Sequence, residues 1–217
     1  MEIMGLEIER LGHDTIKVKG EQVVYVDPYV LPDDPEKADV VLITHDHFDH
    51  CDPDKVKQVS KEGTVVVGSS TSQAKLGGDF RAIRPGESQT IKGVKVEAVK
   101  AYNTSKYRDP ERKEVFHPPS EENLGFVFTM GGVRLYHAGD TDYIPEMKEL
   151  QNIDIALLPV SGTYVMTPEE AVAAAQTIHP KVAIPMHYGA IVASEEEARA
   201  FRDLLANAAS DIRVEII

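Results

Sequence analysis

The sequence predicts an α/β protein in which strand-rich blocks alternate with mixed blocks of strand and helix. Two observations predict it. Three apolar runs, DVVLIT at 39–44, TVVVG at 64–68 and KVAIPM at 181–186, have strand length and no polar alternation, as expected of strands covered on both faces. Helix-start signals gather late in the chain, at Thr167-Pro168-Glu169-Glu170 and at Ser194 with Glu197.

Taken in order, residues 7–11, 15–19 and 22–26 read as short strands separated by Gly12-His13-Asp14 and Gly20-Glu21. Residues 32–35 form a turn-rich stretch, and strand 39–44 runs directly into His45. A short helix is expected over 54–61, a strand over 64–68 and a helical turn over 70–76. Residues 80–100 read as a meander of three strands. Residues 103–122 are polar and carry Pro110, Pro118 and Pro119, which reads as a functional loop. Strands 125–130 and 133–136 are joined by Gly131-Gly132, a hairpin signal. A short helix over 145–150, a strand over 153–159, a helix from 168 to about 178, a strand over 181–186, a helix from 194 to about 208 and a strand over 213–217 complete the chain.

The 217 residues suit one domain spanning 1–217, with two halves and a break near 103–122. The formal charge is −13 at pH 7, which disfavours phosphate backbones and anionic lipid, so neither a nucleic-acid nor a membrane partner is expected. Small anionic substrates are not excluded, because a bound cation reverses the local field. Cys51 is the single cysteine, so no intrachain disulfide forms. The N-terminal residues lack a basic stretch followed by an apolar run, and no apolar run nears the ~20 residues of a membrane helix. A cytoplasmic protein with a small-molecule substrate is the expectation, with a homo-oligomer left open.

Chemistry concentrates at Thr44–His50, T-H-D-H-F-D-H, where three of the eight histidines fall together with Asp46 and Asp49. His45 and His47 are two apart and point the same way from an extended loop, so both imidazoles reach one cation at the ~2.0–2.1 Å zinc needs. Asp49 and His50 are adjacent and point differently, which suits a second cation. A merely solvated turn has no need for alternating histidines. Asp140, in H-A-G-D-T, and His187, in P-M-H-Y-G, each follow a strand. Asp140 has two oxygens with which to bridge two cations, and His187 would complete one of them.

These residues carry a resemblance. H-x-H-x-D-H at 45–50, G-D-T at 139–141 and the late His187 resemble the metallo-β-lactamase superfamily. G-H-D-T at 12–15, V-D-P at 26–28, Y-H-A-G-D-T-D at 136–142 and G-T-Y-V-M-T-P-E-E-A at 162–171 are similar to its branch of small metal-dependent hydrolases, akin to ascorbate-6-phosphate lactonase and N-acyl-phosphatidylethanolamine phospholipase D types. The resemblance covers nearly the whole chain. It implies an αββα four-layer sandwich of two mixed sheets with the site at one sandwich edge. It places His45 and His47 on one metal, Asp49, His50 and His187 on the other, and Asp140 between them, with Asp49 managing the proton of an attacking water. One or two divalent transition-metal ions are implied, zinc first. Manganese, iron and nickel are also compatible, because a His/Asp set without thiolate does not choose among them.

The chain departs from the family at Asn103, where a third histidine for the first metal is expected. His117, in V-F-H-P-P, is the expected substitute, since catalytic sites usually have three protein ligands. Asn103 would then be free to hydrogen-bond substrate or water. His13, Asp27, Tyr164 and Tyr188 are candidates for lining the pocket or supporting ligands. For His13 a turn histidine is the blander account, and for the tyrosines ordinary packing. His137 is expected to be buried and hydrogen-bonded, and His179 to sit at a helix end. The resulting expectation is a hydrolase of a small ester, lactone or phosphodiester. The alternatives are a catalytically silent metal-binding or ligand-sensing protein of the same fold and, disfavoured by the charge, a nuclease.

Overall fold

A computed structural model describes residues 1–77, 80–209 and 211–217. Two seven-stranded mixed sheets face each other, and each is antiparallel on one side and parallel on the other. The first sheet holds β1 (Glu2–Ile3), β2 (Leu6–Gly12), β3 (Thr15–Lys19), β4 (Val23–Val26), β5 (Val40–Ile43), β6 (Val65–Gly68) and β7 (Arg81–Ala82), in that order. Strands β1 to β4 pair antiparallel, and β4 to β7 pair parallel. The second sheet uses β8 (Ser88–Ile91), β9 (Val94–Lys100), β12 (Leu124–Met130), β13 (Val133–His137), β14 (Ile155–Pro159), β15 (Val182–Met186) and β16 (Arg213–Val214). Strands β8, β9, β12 and β13 are antiparallel neighbours, whereas β13 to β16 run parallel. Strands β10 (Tyr107–Asp109) and β11 (Glu114–Val115) form a separate small hairpin.

The parallel strands need crossovers, and the helices supply most of them. Helix α1 (Pro53–Val59) links β5 to β6, and the short α2 (Gln73–Leu76) lies before β7. Helix α3 (Pro168–Ile178) links β14 to β15, and α4 (Glu195–Ala208) links β15 to β16. Helix α4 begins with the capping box read from the sequence at Ser194/Glu197, and at α3 the expected Thr167 cap proves to be a capping box as well, with Glu170. Between the sheets lie Ile8, Val18, Leu42, Phe126, Phe128 and Leu135, all fully buried. The outer face of the first sheet packs Tyr25, Val41 and Ile43 against Val56 and Val59 of α1. That gives the αββα layering the sequence implied. Pro185 is tolerated inside β15 because β16 pairs only with Val182 and Ala183, so the strand loses that neighbour before the proline.

Two expectations need correction. Residues 80–100 do not form a three-strand meander. Strand β7 closes the first sheet beside β6, and only β8 and β9 form a hairpin, in the second sheet. The chain therefore changes sheets between them, which a two-residue strand cannot signal. Residues 103–122 are more ordered than a plain loop, since they fold back through β10, β11 and a 3-10 turn at Pro119–Glu121.

Candidate metal centre

The site forms where the carboxyl ends of the parallel strands meet, the usual place for ligands in such sheets. Strand β5 ends at Ile43 and delivers Thr44–His50, β13 delivers Asp140, and β15 delivers His187. The turn between β2 and β3 adds His13 and Asp14 from the same edge, and the His187 amide donates to the His13 carbonyl at 3.2 Å. Gly139 makes the approach of Asp140 possible. Its φ is +64°, and a Cβ there would lie 2.5 Å from the Leu124 carbonyl oxygen. His13, Asp27 and His187 all adopt left-handed backbone, with φ of 52°, 46° and 62°. Such conformations cost energy and gather at functional sites.

The side chains divide into two clusters. His45, His47 and His117 form the first, their ligand atoms all within 4.8 Å of one another. His117 Nε2 lies 3.1 Å from His47 Nδ1. The small hairpin brings His117 back to the sheet edge, fourteen positions after Asn103 in the chain. The second cluster contains His13, Asp49, His50 and His187, with Asp14 and Asp140 on the same imidazoles. Asp140 lies between the clusters. Its Oδ2 is 3.4 Å from His117 Nε2 and 3.3 Å from His187 Nε2, and its Oδ1 is 3.4 Å from His50 Nε2.

Four imidazoles are held from behind by their Nδ1 atoms. His45 Nδ1 is 2.9 Å from Thr44 Oγ1, whose hydroxyl donates to Asp27 Oδ2 at 2.6 Å. His50 Nδ1 donates to Asp27 Oδ2 at 2.8 Å, His117 Nδ1 to Asn103 Oδ1 at 2.9 Å, and His187 Nδ1 meets Ser161 Oγ at 2.9 Å. Anchoring one ring nitrogen and presenting the other is how proteins orient metal-binding histidines. The presented atoms fit a cation. Nε2 of His45, His50 and His187 and Oδ1 of Asp140 are buried without a hydrogen-bond partner among the described residues. Each such orphan costs about 1–3 kcal/mol unless a ligand satisfies it. The 3.3–3.4 Å separations around Asp140 exceed the ~2.7–2.9 Å of charge-assisted hydrogen bonds and leave room for an ion between the groups.

The clusters differ in charge. Burial holds His117 down to about 4 and His45 well below the ordinary histidine value, so these two imidazoles of the first cluster are neutral at pH 7. Burial opposes the charged forms of His50 and His187 as well, but the Asp140 carboxylate outweighs it, aided by Asp27 for His50 and by Asp14 for His187. His50 rises well above the usual range and His187 to about 9. Asp140 is held well below the carboxylate range against its burial, chiefly by His187 and His50. Asp49 is lowered despite burial by its 3.1 Å hydrogen bond from His13 Nε2. Burial raises Asp14, whose two oxygens have no hydrogen-bond partner among the described residues.

Several sequence expectations meet a different arrangement. Asn103 is not free for substrate or water: it is 2% exposed, accepts from the His117 amide and ring, and donates to Asp142 and the Tyr164 carbonyl. His13 is no mere turn residue, since it is buried and bound to Asp49. Asp27, by contrast, does support a histidine as the sequence allowed, anchoring His50 and the Thr44 amide. Tyr188 is not at a rim but buried beneath Arg10, whose guanidinium carbon lies 3.8 Å from its ring centroid. Tyr164 packs edge-on against Phe116. Asp14, Ser161 and Asp142 escaped sequence reasoning. Asp14 and Asp142 sat inside motifs that otherwise drew attention to their neighbours, and nothing local marks Ser161.

The family described as Beta-lactamase superfamily domain matches residues 7–187, which include every residue of both clusters. A UPF0173 metal-dependent hydrolase of Bacillus cereus strain AH820 is 32% identical over 216 residues, covering 93% of this chain and 94% of the relative. A crystal structure of a candidate metal-dependent hydrolase from Parabacteroides distasonis superposes with a TM-score of 0.82 at 37% identity, over 97% of this chain and 92% of that one. A metallo hydrolase from Ignicoccus hospitalis shares the fold, with a TM-score of 0.75 at 21% identity over 98% and 94% of the two chains. The two mixed sheets with flanking helices are the metallo-β-lactamase fold. The chain belongs to the metallo-β-lactamase superfamily.

Proposed function

We propose that this protein is a metal-dependent hydrolase of small molecules carrying an ester, lactone or phosphodiester bond. The observation that carries the reading is the set of anchored imidazoles whose free Nε2 atoms converge, with no hydrogen-bond partner, around Asp140. His45, His47 and His117 would hold one divalent ion, and Asp49, His50 and His187 a second, with Asp140 between them. Bound transition-metal ions, zinc first among them, supply Lewis-acid polarisation of a substrate oxygen and acidify water.

The chain's own groups supply the rest. Asp49 is ionised at neutral pH and its side chain is 14% exposed, so it can orient an attacking water and take up its proton. His13 holds that carboxylate in place. Phe48, 63% exposed between His47 and Asp49, packs edge-on to Tyr29 at 5.9 Å and gives the site an apolar flank for the substrate's uncharged part. Among the described residues no helix is long and apolar enough to cross a membrane.

The test is turnover by the full chain of chromogenic esters, lactones and bis-p-nitrophenyl phosphate, beside elemental analysis. Hydrolysis of one class, abolished by chelation and restored by metal, is expected, and His47→Ala should lower the metal content. Bound metal with no turnover of any class would favour a silent binding protein instead.

A further inference from the structure

We propose that Asp142 is a positioning residue for the first cluster, acting through Asn103 to fix His117 as a ligand. The inference rests on the reading that His45, His47 and His117 hold an ion.

Asp142 is 1% exposed and follows the site residue Asp140 by two positions. Its Oδ1 accepts from Asn103 Nδ2 at 3.0 Å. Its Oδ2 accepts from the backbone amides of Thr104 and Ser105 at 2.7 and 2.9 Å, and from both their hydroxyls at 3.1 and 3.2 Å. One carboxylate thus ties down three consecutive residues at the start of the segment that carries His117. Lys106 Nζ, 3.7 Å from Asp142 Oδ1 and 2.7 Å from Glu170, adds a cation on the same side. Thr141 assists, since its Oγ1 accepts from the Tyr102 amide at 3.1 Å.

The consequence for Asn103 is geometric. Its amide nitrogen has two hydrogens, and both are used, one on Asp142 and one on the Tyr164 carbonyl at 2.9 Å. A carboxylate can only accept, so Asp142 forces the NH₂ end of Asn103 toward itself and the oxygen toward His117. That oxygen takes the His117 amide at 3.0 Å and its Nδ1–H at 2.9 Å. His117 is thereby held as the tautomer whose Nε2 lone pair faces His47 and Asp140. A flipped Asn103 would face the His117 amide and Nδ1 with N–H donors, leaving the amide unpaired and favouring the tautomer that carries its hydrogen on Nε2.

The experiment is zinc release from the loaded full-length chain to a chromophoric chelator, for wild type, Asn103→Leu and Asp142→Asn. Two release phases are expected for wild type. Both variants should weaken one phase about 10- to 100-fold, the range for groups that orient metal ligands, and leave the other unchanged. Asp142→Asn keeps the shape and one acceptor, so it tests the idea even if Asn103→Leu fails to fold. Replacing zinc with cobalt should shift the visible spectrum of the affected site in Asp142→Asn. Two wild-type phases with Asp142→Asn identical to wild type, or with both phases weakened equally, would overturn the role of Asp142 alone. A wild-type chain lacking the phase assigned to the first cluster would overturn that cluster's reading, and this inference with it.

Discussion

The two clusters sit side by side and share Asp140, yet they are prepared in opposite ways. The first is three imidazoles, of which burial keeps His45 and His117 neutral and able to donate lone pairs at pH 7. The second pairs imidazoles with carboxylates, so that His50 and His187 hold protons when no cation is present. Their supports differ as well. Asp27, a carboxylate, backs His50, whereas Asn103, a neutral amide, backs His117. A carboxylate partner raises the basicity of its histidine, and an amide fixes direction with little effect on charge. The difference teaches that one fold edge can hold histidines that burial keeps neutral beside histidines that carboxylates keep protonated.

The largest effect is expected at Asp49. Asp49→Ala should slow turnover about 10²–10⁴-fold while melting shifts less, because the residue stands past a sheet strand and its proposed role is to carry a proton. Parallel loss of activity and melting temperature would make it structural and erase the functional half of the comparison. Asp27→Asn should come next. It removes the charge behind His50, and metal affinity at the second cluster should fall about 10- to 100-fold. A loss at the first cluster as large as that at the second would show that Asp27 acts through Thr44 and His45 as strongly as through His50.

The pH dependence of the metal-free chain sharpens the contrast. His117 is held at about 4 when folded, against an ordinary value of 6.5, so between those values the unfolded chain binds a proton that the folded one refuses. Stability should therefore rise with pH through that window. His187 lies at about 9, so the folded chain keeps a proton from 6.5 to 9 that the unfolded one loses, and stability should fall as pH rises there. A melting temperature that peaks between the two windows is expected, whereas a monotonic climb to pH 9 would deny the second cluster its protons. The smallest effect belongs to Thr44, which serves both clusters through Asp27 and His45. Thr44→Val should cost about 1–3 kcal/mol in denaturant unfolding by leaving buried partners unpaired.

Much of this was legible in the sequence because backbone patterns and ligand types are local. The unbroken apolar runs marked β5, β6 and β15, and the caps marked α3 and α4 to within a residue. The density of histidine at 45–50 marked where the structure gathers imidazoles, and the third histidine that the resemblance lacked pointed to His117, which lies beside His47. What stayed hidden was non-local. The sheet change between β7 and β8 depends on pairing partners far away in sequence. His13 looked like a turn residue because its left-handed backbone and its bond to Asp49, thirty-six positions away, leave no local trace. Asn103 was read as free because nothing nearby reveals that Asp142 and Tyr164 take both its hydrogens.

The central claim is that two adjacent cation sites share Asp140. Anomalous diffraction from crystals of the metal-loaded chain tests it most directly. Two peaks about 3.5–4 Å apart are expected. One should be bound by His45, His47 and His117 at about 2.0–2.1 Å, with Asp140 reaching toward both. A structure with no peak among His45, His47 and His117, and the His117 ring turned away from His47, would contradict it.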